Sequence, residues 1–287
     1  MNITQPIATA LFELAAFSER GRRKENQDNY LLVTGDGHAQ YLLHEQPQQC
    51  QVAHWPTGHV RLVIADGMGG HAGGREAAEA VIQAMLALPF QSELHILQTA
   101  ISEMHQGLHQ QFYQGLDTAG STLILADISP EGRAVLGHVG DSRAYRWQAT
   151  QWQQLTQDHT LAEFAWRDGE LDAETYQRTC QTPTHGIAQA MIFGSSGIIA
   201  EAGVKYPRHH PELRLDPADV MQLTLHPGDC LCLASDGLWA HTEDNQIHWP
   251  APEAQIAFAD FLQVGVLLAL REGSRDNLTV VGLRWGS

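Results

Sequence analysis

The sequence predicts an α+β sandwich rather than a succession of βαβ units. Short apolar runs follow one another at hairpin spacing, turn residues such as Ser-Pro-Glu-Gly at 129–132 separate them, and helical periodicity is confined to blocks. A helix would follow nearly every strand in a βαβ chain, and that alternation is missing here. No repeat or linker interrupts the 287 residues, so one domain is predicted.

The predicted strands are apolar stretches bounded by glycine, proline and polar turn residues. They cover residues 10–18, 29–34, 60–65, 121–128, 134–139, 142–147, 221–225, 229–235 and 278–285. The first two flank a basic turn at 19–25, and a hairpin is predicted over 147–155. Residues 35–59 are predicted as a loop or a ragged hairpin, because they are rich in glycine, glutamine, histidine and proline.

The predicted helices carry apolar residues three and four positions apart. They cover about 77–86, 92–114 and 252–271, and Gly273 is a stop signal for the last of them. Residues 158–195 change character, because polar residues replace the apolar runs and one helical stretch is predicted near 160–180. A polar insertion of this length between strands is typical of a lid or a functional loop.

Composition argues against several classes of function. Hydrophobic residues make up 43% of the chain, and 17 Lys and Arg stand against 33 Asp and Glu, a net charge of −16. So acidic a chain binds nucleic acid poorly and is repelled by anionic membranes. The four cysteines show no disulfide pattern, the N-terminus lacks a basic signal region, and the apolar run 261–270 is too short to span a bilayer. A cytoplasmic protein is therefore expected.

Five aspartates lie in short segments flanked by Gly or Asn, and most adjoin an apolar strand. They are Asp28, Asp66, Asp141, Asp236 and Asp276. A single Asp of this kind is most often a turn residue. A set repeated at strand ends can converge in space, and oxygen-only ligands suit hard cations such as Mg²⁺ or Mn²⁺. The sequence therefore predicts a metal-dependent enzyme.

Seven segments resemble the bacterial form of the protein phosphatase 2C family, the metal-dependent protein serine/threonine phosphatases. In chain order they are R-R-K-E-N-Q-D-N-Y (22–30), V-I-A-D-G-M-G-G-H-A-G-G (63–74), G-S-T-L (120–123), H-V-G-D-S-R-A-Y (138–145), L-T-Q-D-H-T (155–160), L-A-S-D-G-L-W (233–239) and S-R-D-N-L-T-V-V (274–281). The resemblance implies a four-layer αββα sandwich of two antiparallel β-sheets flanked by helices. It also implies a single phosphatase domain over 1–287, with a flap-like insertion at about 158–195.

The resemblance implies a role for each candidate site residue. The carboxylates that match those holding two Mn²⁺ or Mg²⁺ ions are Asp28, Asp66, Asp236 and Asp276. Gly67 would add its backbone carbonyl, and Asp141 would help Asp236 to hold a third, weaker ion. Arg23 stands five residues before Asp28, where the family binds the substrate phosphate. Arg20 and Arg22 compete for that role, although a solvated basic turn is the simpler interpretation of both.

The implied reaction is hydrolysis of phosphoserine and phosphothreonine in proteins by direct attack of a metal-bridging hydroxide, without a phosphoenzyme. The expected partners are phosphorylated proteins and an opposing bacterial Ser/Thr kinase, and the chain is expected to be a monomer. Met68 stands where animal relatives carry a His proposed as general acid, which leaves His71 or a metal-bound water as the proton source. Gln189 stands where relatives often carry an Arg beside the substrate groove.

Two other functions stay open on the sequence alone. A catalytically silent module that binds partners should have lost metal carboxylates, whereas all five are present here. A hydrolase of small phosphate esters or nucleotides gains no support from a Walker-type motif. It would nevertheless use the same site, so substrates rather than sequence must separate it from a protein phosphatase.

Overall fold

The architecture is that of a computed structural model, which describes residues 2–3, 7–8, 11–68, 73–112, 119–180, 186–192, 219–243 and 245–286. The strands are β1 (Asn2–Ile3), β2 (Ile7–Ala8), β3 (Phe12–Glu19), β4 (Asp28–Val33), β5 (His38–Leu43), β6 (Gln46–Gln51), β7 (Val60–Met68), β8 (Gly120–Ser121), β9 (Leu123–Ile128), β10 (Arg133–Val139), β11 (Arg143–Gln148), β12 (Gln151–Gln154), β13 (Met191–Ile192), β14 (Asp219–Thr224), β15 (Cys230–Ala234) and β16 (Leu278–Trp285). The helices are α1 (Gly74–Ala87), α2 (Leu94–Phe112), α3 (Leu161–Arg167), α4 (Ala173–Cys180) and α5 (Phe258–Glu272). In the described part of the chain, no helix is long and apolar enough to cross a membrane.

The first sheet runs β14-β10-β9-β7-β4-β5-β6 over the described residues, and all of its ladders are antiparallel. Short β8 pairs with the end of β7, and β13 pairs with β8. Successive side chains of β4 point to opposite faces, with Leu31 and Val33 toward the helices and Tyr30 and Leu32 toward the second sheet. Because both faces are covered, the strand sequence is almost continuously apolar.

The second sheet runs β1-β3-β16-β15-β11-β12 over the same described residues, with β2 also pairing with β3, and it too is antiparallel. Its central strand β16 directs Val281 and Leu283 toward the first sheet. Leu278 and Val280 point the other way and pack with residues of α5. The sheet is therefore covered on both faces.

Four layers result from this packing. Helices α1 and α2 cover the outer face of the first sheet, the two sheets pack face to face, and α5 covers the outer face of the second. The predicted four-layer αββα sandwich is confirmed. Both sheets place the strand ends that carry the candidate aspartates at one edge of the sandwich.

A buried ion pair ties α1 to the first sheet. Arg61 on β7 is fully buried and forms two bonds of 2.6 Å to the carboxylate of Asp127 on β9. The same guanidinium donates to the carbonyl oxygens of Met85, Leu88 and Pro89, at distances of 2.6–2.9 Å. It thereby satisfies carbonyls at the C-terminal end of α1, which have no partner within the helix.

The structure departs from the predicted elements in several places. The last helix begins at Phe258 rather than near 252, because Ala257 is extended and no side chain caps the preceding turn. The flap forms two short helices instead of one helical stretch, since Gly169 interrupts them at a φ of +72°. Residues 38–51 form a regular hairpin. Strand β7 continues past Asp66, because Gly67 pairs with Ser121 of β8.

Candidate metal centre

The first sheet contributes two of the five aspartates. Asp28 is the first residue of β4, and it lies directly opposite Asp66 of β7 in the antiparallel ladder. Residues opposite each other in such a pair project to the same face, so the two carboxylates lie side by side. Gly67 follows Asp66 and packs so closely that a Cβ there would meet the carbonyl oxygen of Gly74 at 2.1 Å. Only glycine lets the strand end and the start of α1 approach to this distance.

The second sheet contributes the other three aspartates, in a row along its edge. Asp276 precedes β16, Asp236 follows β15, and Asp141 precedes β11, and these three strands are neighbours in the sheet. Asp236 lies in a single 3-10 turn, Asp236–Leu238, in which Gly237 approaches the backbone of Asn277 too closely for any side chain. The two sheets therefore face each other across the carboxylates.

Mutual repulsion and burial shape the protonation of this cluster. Burial is the main cause that raises the pKa of Asp66 and of Asp236 well above the usual range, and the neighbouring carboxylates raise it further. Both residues nevertheless keep partial solvent access. Burial raises the pKa of Asp28 to about 6 against the opposing bond from Ser235. Burial and the charge of Asp158 raise that of Asp141 to about 7. Carboxylates crowded in this way bind protons or cations more readily than isolated ones.

Two buried oxygens in the cluster point to a cation as the missing partner. Oδ1 of Asp28 and Oδ1 of Asp141 are buried, and neither accepts a hydrogen bond from a described residue. Buried carboxylate oxygens in native proteins nearly always have a partner. Two unpaired oxygens inside an all-oxygen cluster therefore fit Mg²⁺ or Mn²⁺, which prefer such ligands.

Arg23 lies at the edge of the cluster and pairs with one of its members. Its Nε donates to Oδ1 of Asp276 at 2.7 Å, and its Nη2 donates to Oδ2 at 2.6 Å. The Arg23 side chain is 60% exposed, and Nη1 bonds to no described residue. Asp276 raises the pKa of Arg23 further. The guanidinium thus sits beside the carboxylates with a donor open to solvent, whereas Arg20 and Arg22 make no such contact with the cluster.

Asn277, the residue after Asp276, forms hydrogen bonds with the backbone of the basic turn at 19–25. No sequence pattern predicted these bonds. Its Nδ2 donates to the carbonyl oxygens of Arg20 and Glu25 at 2.9 and 3.0 Å, and its Oδ1 accepts from the backbone N–H of Gln27 at 2.9 Å. One buried side chain thereby fixes the backbone on both sides of Arg23 and just before Asp28. The Asp-Asn sequence was the only local signal for it.

Replacing Asn277 by alanine is expected to loosen this arrangement. Loss of three buried hydrogen bonds should lower the free energy of unfolding by about 1–3 kcal/mol. Because Asp28, Arg23 and Asp276 would no longer be held together, the Mn²⁺ concentration for half-maximal activity should rise about tenfold. Thermal unfolding and metal titration of activity measure the two effects.

Asn29→Ala is the matched control for Asn277→Ala. The Asn29 side chain also exchanges two hydrogen bonds with backbone, those of Leu42 on the neighbouring strand β5. This variant should lose comparable stability while its metal requirement changes little. An equal rise in the metal requirement of both variants would reduce Asn277 to a general stabilising residue.

Further hydrogen bonds connect the two sheets at the site. Ser235 is fully buried and donates from Oγ to Oδ2 of Asp28 at 2.7 Å, so a residue of the second sheet orients a carboxylate of the first. Thr122 is the second link: its Oγ1 accepts from the Asp66 backbone N–H at 3.0 Å and lies 2.8 Å from the Ser142 hydroxyl. Neither contact was predicted, because each depends on residues far apart in sequence.

The flap is joined to the site through His159. Its backbone N–H donates to the carbonyl oxygen of Gly140, and its Nδ1 accepts from the Gly140 N–H at 3.2 Å. Since Nδ1 is an acceptor, Nε2 carries the proton and donates to Asp219 at 3.1 Å. His138, His159 and Asp219 are close enough to hold a metal, with ligand atoms within 4.8 Å of one another, but this protonated Nε2 makes His159 a poor ligand.

The remaining sequence candidates fall into three groups. Met68 ends β7 beside the cluster, as its position in the motif requires. His71 lies outside the described residues. Gln189 is buried within the segment 186–192, which does not place it on an open groove surface.

Removing one charge from the cluster should stabilise the protein when chelator is present. The pKa of Asp141 in the folded state lies near 7, above its unfolded value. The protonated carboxyl therefore favours the folded state fully at low pH, and this stabilisation is lost as the pH rises through about 7 and the group ionises. Asp141→Asn should therefore raise the free energy of unfolding by about 1–3 kcal/mol at pH 8, and by much less at pH 5.5. Urea unfolding in chelator at both pH values measures this gain; a gain independent of pH would contradict it.

The αββα sandwich and its acidic edge define a class of hydrolase, the serine/threonine protein phosphatases. The chain belongs to the protein phosphatase 2C family, whose sequence model (Protein phosphatase 2C) matches residues 34–278. Protein phosphatase PhpP of Streptococcus pneumoniae is 26% identical over 235 residues, covering 78% of this chain and 85% of that protein. Serine/threonine phosphatase stp of Listeria monocytogenes is 28% identical over 231 residues, covering 77% and 82%.

Solved structures support the same assignment. The catalytic domain of the phosphatase PstP, in complex with two manganese ions, aligns with a TM-score of 0.66 and 26% identity, over 96% of this chain and 99% of that one. The serine/threonine phosphatase of S. agalactiae aligns with a TM-score of 0.69 over 95% and 99%, and its 23% identity supports the fold alone. The relatives are bacterial serine/threonine phosphatases, as the sequence segments predicted.

Proposed function

We propose that the chain hydrolyses phosphoserine and phosphothreonine in proteins at a site built from the five aspartates and Arg23. The observation that carries this proposal is the pair of buried, unpaired oxygens of Asp28 and Asp141 inside an all-oxygen cluster. The structure of the PstP catalytic domain in complex with two manganese ions supports the binding of cations by this fold. Bound Mn²⁺ or Mg²⁺ would supply Lewis acidity, which lowers the pKa of water and neutralises phosphoryl oxygens.

The chain's own residues would divide the remaining work. The carboxylates proposed to hold two ions are Asp28, Asp66, Asp236 and Asp276, with the carbonyl of Gly67. Asp141 would take part in a third, weaker site. Arg23 would orient the phosphoryl group through Nη1, since its other donors hold Asp276 in place.

Water rather than a side chain would attack phosphorus in this proposal. Ser235 and Ser142 each adjoin one of the carboxylates in sequence, and both are fully buried. Ser235 is already bonded to Asp28 and to the Thr279 N–H, and the Ser142 hydroxyl lies 2.8 Å from that of Thr122. Cys230 and Cys232 are buried in β15, and burial raises the pKa of each thiol. Neither sulfur is available as a thiolate nucleophile.

The biological setting is proposed from the relatives and from composition. The chain would oppose a bacterial Ser/Thr kinase in the cytoplasm and would act as a monomer, with residues 1–287 as one phosphatase domain. The flap at about 158–195 would be part of that domain, because His159 connects it to Gly140 at the strand end before Asp141.

Hydrolysis of a phosphothreonine peptide tests the proposal. We expect phosphate release with Mn²⁺ or Mg²⁺ and none with chelator, and faster release from the peptide than from a nucleotide monophosphate at equal concentration. A folded protein that releases no phosphate with either ion would favour a partner-binding module instead. Preference for the nucleotide would favour a hydrolase of small phosphate esters.

A further inference from the structure

The acidic edge of the sandwich has a basic border at the turn that follows β3. Arg22, Lys24 and Arg275 are exposed, and none of these side chains forms an ion pair or hydrogen bond with a described residue. We call these three residues the basic rim. Several other cations of this acidic chain pair with carboxylates, for example Arg75 with Glu76. Three exposed cations beside an acidic cluster are therefore available to a partner from outside the chain.

The structure holds the basic rim in a defined place. The backbone N–H of Arg22 donates to the carbonyl oxygen of Arg275 at 3.3 Å, which joins the two halves of the rim. Asn277 fixes the rest of the turn through Arg20, Glu25 and Gln27. The rim is therefore part of the same rigid segment as Arg23, the proposed phosphate contact.

The flap is attached at the opposite end of the carboxylate row. In the second sheet the strands run β3, β16, β15, β11, so the turn after β3 and the strand end before β11 are about 14 Å apart at three strand spacings. His159 attaches the flap at the β11 end, next to Asp141. In its described residues the flap exposes three acids, Glu170, Asp172 and Glu174, against one exposed cation, Arg178; we call these three acids the acidic flap. A substrate lying along the row therefore meets positive charge at the basic rim, whereas the segment joined to the other end of the row carries an excess of acids.

We propose, on the basis of the proposed function, that the substrates carry acidic or further phosphorylated residues on one side of the phosphoresidue, and that this side binds the basic rim. An extended chain advances about 3.3 Å per residue, so a phosphoresidue near Asp236 places residues two to four positions away over the rim. Charge complementarity fixes the direction of the bound segment, because the reversed segment would carry its acids away from the basic rim.

Three phosphothreonine peptides of equal length test the proposal. One has glutamates two to four positions before the phosphothreonine, one has them after it, and one has glutamines in both places. With Mn²⁺ at low salt we expect kcat/KM for one of the two acidic peptides to exceed that of the neutral peptide about tenfold, and the other acidic peptide to gain nothing. The advantage should shrink at about 0.5 M salt, because exposed charges are then screened.

Variants locate the source of this preference. Arg22→Gln/Lys24→Gln should reduce the advantage of the acidic peptide to about twofold or less, since each exposed pair contributes a factor of a few. Arg133→Gln is the control, because it removes an exposed cation at the other end of β10, about 20 Å along the strand from Val139. It should keep the full advantage.

The outcomes separate this inference from the proposed function. Equal kcat/KM for all three peptides, equal gains for both acidic peptides, or an advantage that survives Arg22→Gln/Lys24→Gln would each overturn the inference while leaving the phosphatase activity in place. No phosphate release from any peptide, with a small aryl phosphate also unreactive, would remove the proposed function and the inference together.

Discussion

Asp236→Asn is expected to lower kcat for a phosphothreonine peptide on the order of 10³-fold, which corresponds to about 4 kcal/mol. Asp236 lies in the middle of the row, between Asp141 and Asp276, and burial, together with the charges of both neighbours, raises its pKa. An amide at this position keeps the shape of the side chain but removes the charge that a cation requires. Steady-state hydrolysis at saturating Mn²⁺ measures the effect.

Stability separates loss of chemistry from loss of fold in this variant. Because Asp236 is repelled by its neighbours, Asp236→Asn should unfold at the same or a higher temperature than the native chain in chelator. It should also lose most of the stabilisation that Mn²⁺ gives the native chain, which is about 2.7 kcal/mol at a hundredfold excess over Kd. The control is Asp260→Asn, which removes an exposed carboxylate of α5. Full activity in Asp236→Asn would rule out the assigned role of Asp236.

Arg61→Leu is expected to lower the free energy of unfolding by about 3–5 kcal/mol, a large loss for a single substitution. It leaves the buried charge of Asp127 without its guanidinium and removes the donors to three carbonyl oxygens near the end of α1. The Asp127 carboxylate would keep only the bond from the Gln91 N–H. Urea unfolding gives the loss, and a second substitution, Asp127→Leu, should recover part of it because the unpaired charge is gone.

Arg75→Gln provides the comparison for that prediction. Arg75 lies within 4.0 Å of four carboxylates, those of Glu25, Glu45, Glu76 and Glu79, yet its side chain is 26% exposed. Water screens these pairs, so the loss should stay below about 1 kcal/mol. A larger loss for Arg75→Gln than for Arg61→Leu would show that the number of ion pairs, rather than their burial, controls stability.

The aspartates of the candidate site could be predicted from the sequence because the residues directly beside them identify them. Asp66 and Asp236 each follow an apolar strand and precede a glycine, and the structure shows why: Gly67 and Gly237 pass within contact of other backbone segments. The convergence of the two sheets was accessible only through the family resemblance. No local pattern states which strand ends meet.

The residues that hold the site together could not be predicted in the same way. Asn277, Ser235 and Thr122 act through hydrogen bonds to partners 250, 207 and 56 positions away. These hydrogen bonds form only when the two sheets pack together. The sequence around an Asn, Ser or Thr at a strand end does not show whether the side chain will have such a partner. The predicted end of β7 was wrong for a related reason, since this strand continues past Asp66 only because β8 is there to pair with it.

The position of the carboxylates between two sheets has a consequence for how the molecule opens. Elsewhere the sheets adhere through apolar side chains such as Ile64 and Leu233, but at this edge like charges oppose each other across the layer boundary. The sandwich should therefore open first at this end, and backbone amides near Asp28 and Asp66 should exchange hydrogen for deuterium sooner than amides at the other ends of the same strands. A divalent cation bound between the carboxylates would hold the two sheets together at this edge, so metal binding would both activate the enzyme and stabilise its fold.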